Sequence, residues 1–195
     1  MVEDQELRLW LQRMTEGHPD AFREVYARIH LHVYRTVYFL VRNKHEVEDV
    51  VSEVYAALFQ TLPAYDPAKP FKAWLNGIIL RQTSSWKRRV WRRMKLGWRS
   101  RLLLPLAPSD RALPGEELFR DERRHELLEV VDRLSFKLRE VIVLRYYHES
   151  SFEDIAVLLH IPVGTVKSRH HAAIRKLRYF METDNKEKGA SIHVQ

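Results

Sequence analysis

Residues 151–178 read SFEDIAVLLHIPVGTVKSRHHAAIRKLR, two short helices joined by a tight turn, the second of them basic. In the first, Phe152, Ile155, Ala156 and Leu159 recur at helical spacing, and Ser151 and Asp154 stand as a capping pair. His160-Ile161-Pro162 follows. Pro162 cannot continue a helix but suits the first turn of the next one. That next helix opens with Val163, Gly164 and Thr165. Val166, Ile174 and Leu177 face inward, and Lys167, Ser168, Arg169, His171 and Arg175 point out. A helix of this kind fits a DNA major groove, where base edges present acceptors and phosphates line the rim. A surface hairpin with a solvated basic face has the same pattern, so the rest of the chain must discriminate.

The 195 residues carry a net charge of +7 and a pI near 9.7. That balance favours a polyanionic partner, nucleic acid or an anionic membrane surface. Hydrophobic residues make up 45%, enough for a packed core. There is no cysteine, which excludes disulfides and cysteine–zinc sites and fits a reducing compartment. No apolar run approaches the roughly 18 residues of a membrane span, and the charged start MVEDQELRLWLQRM does not read as a signal peptide. No phosphate-cradling glycine loop, HExxH or GxSxG occurs. The pairs His30/His32 and His170/His171 do not put both rings on one helical face, so no metal site and no cofactor is expected.

Helix succeeds helix along the chain. A short one is predicted over 5–15, with Leu7, Trp10, Leu11 and Met14 on one side. A long one follows Pro19-Asp20 and runs to about Leu40, its buried stripe marked by Phe22, Val25, Tyr26, Ile29, Val33, Val37 and Leu40. A third, from about Glu46 to Leu62, buries Val47, Val50, Val51, Val54, Tyr55, Leu58 and Leu62. Its other face carries Glu48, Asp49, Ser52 and Glu53. An acidic patch on a basic chain is a poor DNA surface and a plausible protein-docking surface. Three prolines in residues 63–70 stiffen the next loop. The helix that follows, Phe71 to about Arg93, begins apolar and ends basic. From Trp86 to Arg101 there are eight lysines and arginines, three tryptophans and no acid. Cations interleaved with rings suit unpaired or distorted nucleic acid, and a membrane-surface helix has a similar composition. Periodicity lapses over about 97–114 and resumes near Glu116, with Leu118, Leu127, Leu128, Val131 and Leu134 leading to Ser135 as a cap. A helix over Lys137–Tyr147 comes next, with Leu138, Val141, Ile142 and Leu144 buried. The fold class is therefore all-α: two small helical domains, 1–95 and 116–183, joined by an extended linker over 96–115 and followed by a frayed polar tail over 184–195.

This order resembles the extracytoplasmic-function group of bacterial sigma factors, small two-domain members of the sigma-70 family. The likeness is carried by DAFREVYARIHLHVYRTVYFLV, HEVEDVVSEVYAALFQTL and AYDPAKPFKAWLNGIILRQ, and by LSFKLREVIVLRYYHESSFEDIAVLLHIPVGTVKSRHHAAIRKL, within which VGTVKSR is one of the more specific strings. The resemblance implies a dissociable subunit of RNA polymerase rather than an enzyme. Its N-terminal, sigma-2-like domain would recognise and melt the −10 element. Its C-terminal, sigma-4-like domain would bind the −35 element, with the linker threading the core enzyme.

Carried over position by position, Glu48, Asp49, Ser52 and Glu53 correspond to the docking surface for the clamp helices of the β′ subunit. The loop before Phe71 corresponds to the one that captures a flipped base, which assigns Tyr65, Lys69, Phe71, Lys72, Arg81, Lys87, Arg88 and Arg89 to −10 DNA. Thr165, Lys167, Ser168, Arg169, His171 and Arg175 match the −35 contacts, and the Lys137–Tyr147 helix would lie near the flap of the β subunit. The further partner implied is an anti-sigma factor. The implied location is a bacterial cytoplasm, at the nucleoid when in holoenzyme, with the membrane reached only through an anti-sigma factor. No obligate homo-oligomer is implied. The chain departs from the family at several positions. Ser52 stands where glutamine is common and Arg81 where asparagine is common. Ala172 and Ile174 occupy two familiar arginine positions, His170 an apolar one and His160 that of a glycine. These bear on promoter sequence and affinity. The competing reading is a stand-alone helix-turn-helix regulator acting as a dimer, which would need a dimer interface or ligand pocket in the N-terminal module.

Overall fold

Valines and isoleucines three and four residues apart build the first half of the molecule. The computed structural model describes residues 2–97 and 128–191, with side chains over 6–95 and 128–184, and the chain divides into two compact units, Met1–Asp110 and Arg111–Gln195. Every regular element among the described residues is helical. The first unit holds α1 (Val2–Thr15), α2 (Ala21–Leu40), α3 (Val47–Thr61) and α4 (Phe71–Gly97). The last three pack on one another and α1 lies on α2. Val25, Ile29, Val33 and Val37 of α2, Val50, Val54 and Leu58 of α3, and Leu75, Ile78 and Ile79 of α4 are all buried. Each such side chain contributes about 1.5–3 kcal/mol of burial.

The connections have chemical causes. Gly17 adopts φ +82° after α1, a conformation that costs a side-chain-bearing residue, and His18 N–H then reaches the Arg13 carbonyl at 3.0 Å. After α2, the Lys44 ammonium donates to the Tyr38 and Val41 carbonyls at 2.8 and 3.1 Å, satisfying orphan acceptors of the helix end. Asn43 Oδ1 accepts from His45 N–H at 3.3 Å and opens a single 3₁₀ turn, Lys44–Glu46, that leads into α3. Phe22 and Tyr26 do not lie in the buried stripe expected for them. They are 38% and 36% exposed, and their rings form a surface cluster with Tyr55 and Phe59 at centroid distances of 5.0–6.3 Å. They sit at the rim of the α2–α3 seam and are covered on one side by each other. Burial within this seam pushes the Tyr55 phenol up, with Tyr26 adding to the shift.

In the second unit, helical residues 128–132 lead to α5 (Phe136–Ile142), α6 (Phe152–Leu159) and α7 (Val163–Ser191). Leu134, Ile142 and Ala173 form the centre, with Leu138, Ile174, Leu177 and Phe180 packed around it. Ser135 occupies the N-cap position of α5, but its side chain makes no cap bond; its carbonyl accepts from the Leu138 and Arg139 N–H groups at 3.0 Å instead. The helix expected to run unbroken to Tyr147 changes at Val143 into a π turn, Val143–Tyr147. There His148 N–H bonds five residues back to the Val143 carbonyl at 3.2 Å. The expected capping box of Ser151 and Asp154 is present, and His160 ends α6 with φ 51° and ψ 48°. The tail expected to fray from residue 184 is helical through Ser191. Arg133 holds its start, donating to both carboxylate oxygens of Asp184 at 2.7 and 2.9 Å with its guanidinium over Phe180. Leu118, Leu127 and residues 98–115 of the expected linker lie outside the described residues.

Arg139 is 1% exposed. It donates to the Asp132 and Leu134 carbonyls at 2.8 and 3.0 Å and pairs with the Asp132 carboxylate at 3.2 Å. Removing one member of a buried pair strands the other, at a cost of about 3–5 kcal/mol. Arg139→Met should fall near the lower end, about 3 kcal/mol, because Asp132 keeps some solvent. Urea unfolding followed by hydrogen exchange at α5 and α7 measures this, and protection equal to the native chain would refute the assignment.

Candidate nucleic-acid interface

The acidic helix presents its charges as the spacing predicts. Val50, Val51 and Val54 face the core, while Glu48, Asp49 and Ser52 are exposed. Glu48 and Asp49 lie in the first turn of α3, where the helix dipole favours acids. Neither has a hydrogen-bond or ion-pair partner among the described residues, so both are available to a partner. Glu53 is turned differently. Both of its carboxylate oxygens accept from Arg89 Nη2 on α4, at 2.6 Å. Glu46 accepts from the Trp86 indole N–H and lies 3.5 Å from Arg93. An acidic docking candidate and a basic DNA candidate, Glu53 and Arg89, are thus brought together.

The loop over 63–70 is held by its own bonds. Tyr65 O–H donates to the Lys69 carbonyl at 2.6 Å. Asp66 Oδ1 accepts from Ala68 N–H at 3.0 Å and the Asp66 carbonyl accepts from Lys69 N–H at 3.0 Å. The Tyr65 ring lies 4.7 Å from that of Trp74 and 5.6 Å from that of Phe71. Phe71 is only 7% exposed, which corrects its assignment to DNA: it supports the loop from below. Trp74 is half-buried and forms a wall of the loop. Lys69, Lys72, Arg81, Lys87 and Arg88 are exposed. Trp86 is buried, so among the described residues the exposed ring on the basic arm is Trp91, 59% exposed with the Lys95 ammonium 5.2 Å from its centroid. Trp91 is not among the contacts the resemblance implies, though interleaved cations and rings are its signal in the sequence. In the apolar first half of α4, Asn76 Oδ1 lies 2.8 Å from His32 Nε2 of α2, a part-buried polar bridge with no motif to announce it. Burial lowers the His32 pKa, and Lys72 lowers it further.

In the second unit, α6 and α7 form the expected helix-turn-helix. Thr165 and Val166 N–H groups bond to the Pro162 carbonyl at 2.9 and 3.2 Å, so Pro162 sits just ahead of α7 rather than inside its first turn. Lys167, Ser168, His171 and Arg175 are exposed, as expected; Thr165 and Arg169 are half-buried. Ser168 Oγ donates to the Thr165 carbonyl at 3.0 Å. His170, at the position where the family has an apolar residue, is half-buried. Its ring stacks on Tyr146, lies edge-on to Phe152 and has Nε2 3.0 Å from the Tyr146 hydroxyl. The π turn is what brings Tyr146 there. Arg145 stands over Phe152 and donates to the Ser150 carbonyl at 2.9 Å. Among the described residues no group of three metal-ligating side chains converges.

The family models Sigma-70 region 2 and Sigma-70, region 4 match residues 25–93 and 124–177. The chain is 30% identical to the RNA polymerase sigma-E factor of Streptomyces coelicolor over 139 residues, 71% of this chain and 73% of that one. It is 28% identical to the ECF RNA polymerase sigma factor SigW of Bacillus subtilis over 173 residues, 86% and 92% of the two chains. The chain belongs to the extracytoplasmic-function sigma factors of the sigma-70 family. The fold agrees with solved structures. RpoE of Bartonella quintana, in complex with the anti-sigma factor NepR, superposes with a TM-score of 0.64 at 20% identity, covering 85% of this chain and 99% of that one. CnrH, in complex with the cytosolic domain of CnrY, gives 0.62 at 22%, covering 91% and 97%. No described helix of this sigma factor is long and apolar enough to cross a membrane.

His170 carries a testable consequence. Burial, then His171 and Arg145, hold its pKa below the ordinary histidine value. The unfolded chain therefore takes up this proton first as pH falls, and the fold loses stability below about 6.5. His30 and His32 act in the same direction in the first unit. His170→Leu should flatten only the second unit's share. Hydrogen exchange at α6 and α7, compared at pH 7.5 and 5.5, reads it. An equal loss of protection in variant and native chains would contradict the burial assigned to His170.

Proposed function

We propose that this sigma factor docks core RNA polymerase through Glu48, Asp49 and Ser52, opens the −10 element with the loop over 63–70 and the outer face of α4, and reads the −35 element with α7. The domains are then 1–95 and 116–183, with 96–115 as linker. The observation that carries the reading is an exposed acidic face and an exposed basic face on one small unit, made by adjacent helices. Two oppositely charged surfaces suit two partners, and complementary charge steers each encounter.

The acidic face meets the clamp helices of the β′ subunit, and α5 lies near the flap of the β subunit. The loop is pre-formed by the Tyr65–Lys69 and Asp66 bonds, so its shape is set before an unstacked base arrives. Tyr65 and Trp74 supply its rings, Lys69 and Lys72 face the backbone, and Arg81, Lys87 and Arg88 continue along α4. On α7, Lys167, Ser168, Arg169, His171 and Arg175 meet the −35 duplex, with Thr165 at the N-terminus of the helix. The chain acts as a specificity subunit and not as an enzyme, needs no cofactor, and works in the cytoplasm. An inhibitory protein of the anti-sigma class would act by covering the acidic face.

Charge reversal separates the surfaces. Asp49→Lys should weaken capture of core polymerase several-fold or more in a pull-down. Lys167→Ala should lower transcription from −35-dependent promoters, since a good base contact is worth about 1–3 kcal/mol, while core capture stays intact. Unchanged capture by Asp49→Lys would remove the docking assignment.

A further inference from the structure

The basic run at the end of α4 divides between two faces. Trp86, Arg89 and Arg93, three and seven residues on, turn toward α3 and its N-cap, where Glu53 and Glu46 receive them. Arg88 and Arg92 turn outward; Arg88 donates to Ser85 Oγ at 2.8 Å. Arg89 lies at the boundary, with its side chain 42% exposed and that of Glu53 38% exposed. Both Glu53 oxygens are satisfied by one nitrogen, Nη2. Nε and Nη1 of Arg89 make no hydrogen bond among the described residues. A guanidinium has five N–H donors in a rigid plane, so fixing one nitrogen orients the whole fork and leaves its other edge to a second acceptor.

We propose that Glu53 is a positioning residue for promoter contact. Its carboxylate aims the free edge of Arg89 at a phosphate of the −10 DNA, so that α3 sets the geometry of the arm that α4 presents. An exposed ion pair adds little to stability, so the pair's worth lies in orientation. The inference rests on the reading that the basic half of α4 meets −10 DNA. Glu53 then acts on DNA through Arg89, which separates it from Glu48 and Asp49 on the same helix.

The test is a double-mutant cycle in reconstituted holoenzyme, with open-complex formation followed by permanganate reactivity across a range of salt. Glu53→Gln and Arg89→Ala should each slow opening roughly 3–10-fold. Each should also reduce the salt slope by about one phosphate contact. The double variant should match Arg89→Ala alone, whereas Glu53→Gln combined with Arg88→Ala should be additive. A residue that merely supported the fold would leave the salt slope unchanged. Additivity of Glu53→Gln with Arg89→Ala overturns the proposal. So does a Glu53→Gln variant that loses core affinity but opens promoters normally once bound, which makes Glu53 a docking residue. If Arg89→Ala slows opening and Glu53→Gln does not, the positioning role fails while the reading of α4 stands. If Arg88→Ala and Arg89→Ala both open at the native rate, the reading of α4 fails and takes the proposal with it.

Discussion

Two carboxylates, one at the N-cap of α3 and one within it, face the basic half of the next helix. Glu46 takes the Trp86 indole and Arg93, and Glu53 takes Arg89. Without acceptors facing it, the run of like charges along α4 would have nothing to fix which of its cations turn inward and which outward. With them, Trp86 is drawn in and buried, and the remaining cations are sorted to the outside. The sorting also leaves Glu48 and Asp49 exposed one turn away. An acidic surface and a basic surface then coexist a helix apart without cancelling, which is the property a subunit needs if it is to bind a protein and a nucleic acid together.

The second unit solves a smaller problem with buried polarity. Arg139 ties the helical stretch at 128–132 to α5 through carbonyls and Asp132, giving the helix-turn-helix a rigid base. The π turn then offsets the end of α5, so that Tyr146 reaches His170 on the recognition helix. A single inserted residue in a helical turn is a known way of re-aiming side chains at functional sites. Here it lets an imidazole fill a position that apolar packing would otherwise occupy, at the expense of stability in acid.

Much of this was legible in the residues. The alternation of Val47, Val50, Val51 and Val54 with Glu48, Asp49 and Ser52 is a helix with one wet face, and burial follows. Ser151 with Asp154 announces a helix start because both cap bonds are local. His160 marks the turn because a left-handed residue must end α6 there. The resemblance was specific for the same reason, since its strings are dominated by local constraints. What escaped depends on contacts distant in sequence. Phe22 and Tyr26 fit the apolar period of α2, but period does not say where a neighbouring helix stops covering them. Trp86 looked like part of a nucleic-acid surface because its acceptor, Glu46, is forty residues away. No local pattern marks Arg139 as buried, because its partners are two carbonyls and an aspartate that only the fold assembles. Phe71 looked available to DNA because it borders an exposed loop. Glu53 was read on a docking face and Arg89 on a DNA face of separate helices, and nothing in either local pattern says they meet.

The central claim is that the acidic and basic surfaces work together only on polymerase. Multiple-round run-off transcription on a library of genomic promoter fragments, with core polymerase in the presence and absence of the chain, tests it most directly. Discrete transcripts that need both the chain and core, and that arise from fragments sharing a −35 and a −10 element, are the predicted result. Tight, salt-resistant binding of the free chain to its own operator fragments, with no chain-dependent transcript from any of them, would contradict it and return the molecule to the class of stand-alone DNA-binding regulators.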